Sequence, residues 1–174
     1  MSDSKPGFNP FAGLMAAAVP GLGHIVSGQV KRGLLAGGAV LGLFFGGILI
    51  GGVDVIDSRE DRAWFIGQAL VGPVAFVVDY YHQRHIKAFG APLIDGGDPV
   101  LRSVAPDEIV VTEAGGRRAR PVPGDQAGNP PNTKSVARVN EVGTLYATIA
   151  GMLNLIVVLD ALMPSRRGRR EDEK

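Results

Sequence analysis

The chain has 174 residues, a formal net charge of +1 and no cysteine. The near-neutral charge gives no general attraction to nucleic acid. The lack of cysteine excludes disulfides, thiolate catalysis and cysteine-ligated metals. Charged side chains are concentrated between Asp79 and Asn140 and in the last residues, whereas long stretches elsewhere carry none. This segregation indicates a membrane protein in which polar segments separate apolar helices.

The first apolar segment, residues 11–28, carries no charge but is interrupted in its middle by Pro20, Gly21 and Gly23, with His24 directly after them. This pattern predicts either a broken spanning helix or a re-entrant hairpin. Both would place irregular backbone at membrane depth, where it must be surrounded by protein or water.

A signal peptide and a phosphate loop are weaker interpretations of this segment. A signal peptide cleaved after the alanines at 16–18 would have a short apolar core and a single lysine that an aspartate offsets. A phosphate loop requires a lysine directly after the last glycine of its motif. Gly23 and Gly28 have the right spacing, but Gln29 follows them.

The next two apolar segments predict full spans. Residues 34–53 contain no charged side chain, and a helix of this length covers roughly 30 Å, the thickness of the hydrocarbon core. Residues 63–81 have Trp64 near one end and Tyr80 and Tyr81 at the other. Such aromatic side chains are typical of the two membrane interfaces, and Pro73 predicts a bend within this span.

The last apolar segment, residues 142–163, is also long enough to span with some tilt. A partly charged stretch follows two prolines, so the helix is expected to begin near Thr133 and to stop before Pro164. Between these helices we expect an irregular polar loop with one short hairpin, whose strands begin near Glu108 and Arg117.

The expected fold is therefore an all-α integral membrane bundle with three full spans, a broken or re-entrant N-terminal segment and an irregular polar loop. It divides into a membrane region at 1–82, the loop at 83–132, a membrane helix at 133–163 and a charged tail at 164–174.

Small residues recur at helical spacing on three of these segments, which is typical of helix contacts in lipid. We expect these stripes to face inward and pack against one another. The packing residues are Gly38, Gly42 and Gly46 on the first long span, Gly72 on the next segment, and Gly151 and Asn154 on the last.

The charges flanking the helices suggest an orientation. Lys31 and Arg32 precede the first long span, and residues 54–62 after it carry a net charge of −2. The positive-inside rule then places the two cations in the cytoplasm. Three spans would put the polar loop inside as well and leave the tail arginines outside, against the rule. The cations that obey the rule and those that break it nearly balance in either orientation. We prefer the one with Lys31 and Arg32 in the cytoplasm, because the first helices of a chain usually determine its topology.

Ionisable residues near the membrane supply the candidates for chemistry. Asp79, His82 and His85 are spaced as i, i+3 and i+6, and carboxylate with imidazole suits metal ligation or proton relay. The three spread over a wide arc of a helix, so a structural polar cluster is the favoured interpretation. Asp160 is a further candidate because intramembrane ionisable residues are often functional. No catalytic residue, metal ligand or cofactor is predicted.

The stretch PGLGHIVSGQVKRG resembles the start of small bacterial two-transmembrane-segment domains, which carry PGxGxxxxG followed by a basic residue and glycine. More of the chain, including GGVDVIDSREDRAWFIGQALVGPVAF and PPNTKSVARVNEVGTLYATIAGMLNLIVVLDA, resembles an uncharacterised bacterial multi-pass membrane family. This resemblance implies a bacterial membrane protein and supplies no activity. The matching positions of the first motif are Pro20, Gly21, Gly23, Gly28, Arg32 and Gly33.

Three hypotheses for function follow. The favoured one is a non-enzymatic multi-pass component of the inner cell membrane whose partners are the lipid bilayer and either further copies of itself or another membrane protein, with no nucleic acid. The second is a small transporter or channel subunit that uses the broken helix, His24 and Asp79. The third is a membrane enzyme with a metal at Asp79, His82 and His85.

Overall fold

The computed structural model describes residues 7–90, 98–104, 108–123 and 139–163; the charged tail and the expected helix start near Thr133 lie outside them. The helices are α1 (Pro10–Ala18), α2 (Leu22–Val26), α3 (Val30–Gly51), α4 (Arg62–Ala69), α5 (Pro73–His85) and α6 (Val139–Leu162), with a 3₁₀ turn at Val53–Val55. The strands are β1 (Ala88–Gly90), β2 (Val100–Arg102), β3 (Glu108–Glu113) and β4 (Gly116–Pro121).

Two long helices form the axis of the molecule. Within the described residues, α3 and α6 are the two helices long and apolar enough to cross a membrane. They run antiparallel, because Arg32 near the start of α3 pairs with Asp160 near the end of α6, and Gly51 lies against Gly143. We call the end with Arg32 and Asp160 the tail end, and the end with Gly51 and Gly143 the sheet end.

The N-terminal segment forms a helical hairpin at the tail end. The Asn9 amide donates a hydrogen bond of 2.9 Å to the Leu162 carbonyl, so α1 begins beside the end of α6. The chain reverses after α1, and Gly21 adopts a φ of 82°, a conformation that favours glycine. α2 then returns to the tail end, where His24 reaches Asp160. The break lies at the Pro20–Gly21 step.

A second helical hairpin descends from the sheet end. α4 packs against α6, where Gly67 lies against Thr148 and Gly151. The chain reverses at Gly72, which has a φ of 117°, and Pro73 is the first residue of α5. The expected bent span over 63–81 is therefore wrong. The left-handed glycine before a helix-starting proline reverses the chain, and neither α4 (8 residues) nor α5 (13 residues) is long enough to cross a bilayer.

The tips of the two hairpins meet between the ends of the bundle. A Cβ added at Gly72 would lie 2.7 Å from the Ala17 carbonyl oxygen, so the second tip touches the end of α1. Because the second hairpin returns to its starting end, Trp64 and Tyr80 both belong to the sheet end, contrary to their expected placement at two interfaces. Both are exposed.

The polar loop folds into a four-stranded sheet of order β2-β1-β4-β3. The expected hairpin is present as antiparallel β3 and β4, in register from Glu108 opposite Pro121 to Glu113 opposite Gly116. β1 pairs with β4 in parallel and with β2 in antiparallel fashion. The all-α prediction with an irregular loop is therefore wrong here. β1 and β2 have only three residues each, too few to show an alternating pattern in the sequence.

The glycines of α3 lie on two different faces. Gly37 and Gly47 contact the backbone of Pro20 and of Gly143, respectively, and Gly33 and Gly51 lie on the same packed side. A Cβ added at Gly38, Gly42 or Gly46 would meet no other atom. The prediction that these three face inward is therefore wrong, because the first hairpin and α6 both pack on the other glycine face of α3.

Candidate functional site

The polar residues of the sheet end are organised by the connection between α3 and α4. Its apolar residues Val55 and Ile56 are fully buried against α3, α5 and α6, and Asp57 is 1 % exposed. The apolar part of the connection is thus buried inside the sheet end of the bundle. A carboxylate held at this depth needs partners, and its neighbours supply them.

Asp57 has hydrogen-bond or ionic partners at both carboxylate oxygens. Its Oδ1 accepts hydrogen bonds from the amides of Arg59 (2.8 Å) and Glu60 (3.1 Å) and from Gln83 Nε2 (2.9 Å). Its Oδ2 lies 2.6 Å from Lys87 Nζ. Burial raises the pKa of Asp57, but the bond to Lys87 and the two backbone amides outweigh it, so the pKa is lower than its ordinary value of 3.8. Asp57 is therefore held as a carboxylate.

The same cluster joins the sheet to the bundle. Lys87 is fully buried and also reaches Glu60 Oε1 at 2.8 Å. That oxygen accepts the Ser103 amide at 2.9 Å, while Ser103 Oγ donates to Asp54 at 2.5 Å. Asp54 also accepts from Asn140 Nδ2 at 3.1 Å. The connection, the end of α5, the residue after β2 and the start of α6 are thus tied together by charge-assisted hydrogen bonds.

His82 lies at the centre of this cluster and is fully buried. Its Nδ1 is 3.2 Å from the Ile56 carbonyl oxygen, and its Nε2 is 3.4 Å from Asp54 Oδ1. Asp57 Oδ2 lies 4.0 Å from Nδ1. Asp54, Asp57 and His82 each offer one ligand atom, and these atoms lie within 4.8 Å of one another. Two carboxylates and an imidazole at this separation could hold a metal ion.

The three residues picked out on α5 have different partners. Asp79 accepts from the Ser58 amide (2.9 Å) and hydroxyl (2.7 Å) and so fastens α5 to the connection. His85 is exposed and stacks on Tyr81 with ring centroids 4.8 Å apart. His82 turns inward to Asp54. The acids that actually face His82 come from the connection, and the signal that could have found them is its net charge of −2.

A second polar contact closes the tail end. His24, 4 % exposed, places Nε2 at 2.7 Å from Asp160 Oδ2, and Arg32 reaches the same oxygen at 2.6 Å. This contact joins α2, α3 and α6. The bend motif and the acid of the last helix, separated by 136 positions in the chain, are thus partners, which spacing alone could not reveal.

A third polar contact lies at the tip of the second hairpin. Asn154 is fully buried on α6, and its Nδ2 lies 2.9 Å from the Leu70 carbonyl and 3.3 Å from the Val71 carbonyl. The turn leaves these carbonyls outside a continuous helix, and the asparagine donates to them. On α4, Gln68 similarly donates to the Val55 carbonyl at 2.9 Å. Polar side chains thus donate to irregular backbone both at the tip of the second hairpin and in the connection at the sheet end.

The comparisons with known proteins identify a family for this chain. The model of a family described as a family of unknown function (DUF6677) matches residues 11–172. No curated protein and no solved structure matches the chain.

Proposed function

We infer that this chain, which belongs to the DUF6677 family of unknown function, is an integral membrane protein with two spans, α3 and α6, and two re-entrant hairpins. Large apolar side chains on α3 support this proposal, since Leu35 is 76 % and Leu49 86 % exposed. On a protein in water such a surface would promote aggregation, whereas in a bilayer it faces lipid. The reversing residues Gly21 and Gly72 are buried within the protein, as irregular backbone at membrane depth requires.

The distribution of charge supports an orientation with the tail end in the cytoplasm. Lys31 and Arg32 lie at that end, and four arginines occur within eight residues after Leu162, where α6 ends at the same face. The positive-inside rule counts cations close to the ends of spans and gives little weight to long loops. With two spans the two sets of cations agree, whereas three spans set them against each other. The sheet is then outside the cytoplasm, and we propose the inner cell membrane of a bacterium as the location.

We propose that the protein is a non-enzymatic membrane component that associates with a second copy of itself through the open glycine face of α3. The single observation that carries this is the division of α3 into two glycine faces. One is filled by the first hairpin and α6, and the other, at Gly38, Gly42 and Gly46, has open space around it. Close backbone approach at such stripes drives helix association in lipid. The stripe crosses the middle of α3, so a two-fold axis along the bilayer normal would bring two identical stripes together.

Disulfide crosslinking in native membranes tests this proposal, because the chain has no cysteine of its own. Gly46→Cys is expected to give an oxidised dimer, and Gly42→Leu in the same chain is expected to abolish it. The matched control is Ile156→Cys on the exposed side of α6, which is expected to stay monomeric. A crosslinked product of different mass would indicate another membrane protein as partner, and equal dimer yields from both positions would contradict the proposal.

A second candidate function, a small transporter or channel subunit, is favoured by the meeting of two hairpin tips from opposite ends of the bundle. Interrupted helices of this kind often surround ion or substrate sites near the middle of the bilayer. His24 and Asp79 lie at opposite ends of the bundle, so the central polar residue on such a route would be Asn154. Proteoliposomes should then show an ion flux that Asn154→Ala changes, and vesicles without any flux would remove this candidate.

A further inference from the structure

One ring nitrogen of His82, at the sheet end, is buried without a hydrogen-bond partner among the described residues. The Ile56 carbonyl can only accept a hydrogen bond, so the nearby Nδ1 of His82 carries the donating proton. In the neutral ring, Nε2 is then an acceptor. It is buried, has no hydrogen-bond partner among the described residues, and lies 3.4 Å from a carboxylate oxygen of Asp54. The nitrogen is buried, so these two facing acceptors are unfavourable unless a cation, either a proton on Nε2 or a metal ion, lies between them.

The distance between these two atoms fits a metal ion. Zinc binds imidazole nitrogen and carboxylate oxygen at about 2.0–2.2 Å, so two ligands of a tetrahedral ion are separated by roughly 3.4 Å. His82 Nε2 and Asp54 Oδ1 have this separation. Asp57 supplies a third ligand atom within 4.8 Å of both. Three protein ligands leave one position open for water.

The groups behind these ligands are arranged as the outer shell of a metal site. A metal-bound histidine usually donates its other ring N–H to a carbonyl or carboxylate, as His82 Nδ1 does to Ile56. Ser103 Oγ and Asn140 Nδ2 each donate to Asp54 and hold its orientation. Asp57 is fixed in the same way by backbone amides and Gln83. The side chains are therefore oriented before any ion binds.

We propose that His82, Asp54 and Asp57 bind one divalent transition-metal ion of the zinc class, which joins α5 to the connection beneath the sheet. Lys87 lies 2.6 Å from Asp57 Oδ2, so Asp57 is the weakest of the three ligands, and His82 with Asp54 provides most of the affinity.

The direct test is metal binding by the purified full-length protein in detergent after treatment with a chelator. Equilibrium dialysis against Zn²⁺ is expected to give one ion per chain, and Co²⁺ in its place should show the absorption of a tetrahedral nitrogen- and oxygen-ligated ion. His82→Ala should lose stoichiometric binding. His85→Ala is the matched control, because that histidine is exposed three residues further along α5, and it should bind like the parent protein.

Two further variants keep the test decisive if His82→Ala does not fold. Asp54→Asn retains an acceptor for Ser103 and removes the charged ligand, so it should weaken Zn²⁺ binding at least tenfold. Ser103→Ala removes only an outer-shell donor and should weaken it about 10-fold. Zn²⁺ should also raise the Tm of the parent protein but not of Asp54→Asn. Folded parent protein that binds no stoichiometric Zn²⁺ or Co²⁺, or Asp54→Asn that binds as tightly as the parent, would overturn the proposal.

Discussion

The two hairpins have similar outlines but are held in the bundle by different forces. The first is packed by small residues, with Gly23 against α1 and Gly37 against the Pro20 carbonyl, and His24 forms a hydrogen bond with Asp160. The second is held by donors and charges, from Asn154 at its tip to Lys87 after its last helix. Close packing of small residues therefore stabilises the first hairpin, whereas hydrogen bonds and ion pairs of buried polar groups stabilise the second.

This difference has a physical cause in the turns. The first turn continues almost at once into α2, whose amides bond to the Val19 and Gly21 carbonyls, so its backbone is largely satisfied locally. The second turn leaves the Leu70 and Val71 carbonyls pointing to α6, which has to supply a donor. The comparison predicts that adding side-chain volume should destabilise the packing of the first hairpin. Removing a polar side chain should destabilise the second.

The largest effect is expected from Lys87→Met. Lys87 is fully buried, and its removal leaves the buried carboxylate of Asp57 without its counter-charge. Breaking one partner of such a pair typically costs about 3–5 kcal/mol. The free energy of unfolding in mixed micelles measures this, with the exposed neighbour Arg84→Met as the control that should change little. Equal effects of the two substitutions would show that Lys87 is not buried against Asp57.

Asn154→Leu is expected to be the next most damaging. Leucine has the same branching as asparagine but no donor, so it leaves two carbonyls of the second turn without their hydrogen bond, at a cost of about 1–3 kcal/mol. The control is Leu155→Asn at the neighbouring exposed position. It changes the polarity of α6 without removing the donor to the turn. The same unfolding measurement applies. A stable Asn154→Leu protein would mean that the turn carbonyls have other donors.

Two adjacent glycines of α3 test the packing of the first hairpin. A Cβ at Gly37 would collide with the Pro20 carbonyl, whereas a Cβ at Gly38 would meet no atom. Gly37→Ala should therefore lower the free energy of unfolding by about 1–3 kcal/mol, and Gly38→Ala should leave it nearly unchanged in the monomer. The pair is compared in dilute detergent. The opposite order would place the hairpin on the other face of α3.

The smallest expected effect is a loss of folding stability at acidic pH. The folded pKa of Asp57 is lower than its ordinary value of 3.8, so its ionised form stabilises the fold above that pH. This stabilisation is lost as the pH falls from 3.8 through the lower folded pKa. Unfolding followed between pH 5 and pH 2 should show this loss in the parent protein and less of it in Asp57→Asn. Identical pH profiles would contradict the assigned partners.

Sequence patterns predict the two long apolar helices well, because apolar runs of about 20 residues with at most one charged side chain have few alternatives. The break at Pro20–Gly21 and the β3–β4 hairpin were also visible, since proline, glycine and alternating residues act locally. The second hairpin was missed because a reversal at Gly72–Pro73 and a proline kink in one span leave the same trace in the sequence. The outcome depends on α6, which offers Asn154 to the turn 83 residues away.

The candidate site was predictable only in part. His82 was singled out by its spacing from Asp79, yet its partner Asp54 lies on a connection whose fold depends on burial of Val55 and Ile56. The pairing of His24 with Asp160 likewise depends on the first hairpin reaching the end of α6. Contacts of this range are set by tertiary packing, so local spacing cannot supply them.

The most direct test of the central claim, two spans with two re-entrant hairpins, is the labelling of single cysteines by a membrane-impermeant thiol reagent in intact cells. The described positions Ser27, Arg59 and Ala114 are exposed, and Ser165 reports on the tail. Two spans predict labelling at Arg59 and Ala114 without permeabilisation, and at Ser27 and Ser165 only after it. Labelling that separates Arg59 from Ala114 would mean that residues 63–81 cross the membrane, and would contradict the account.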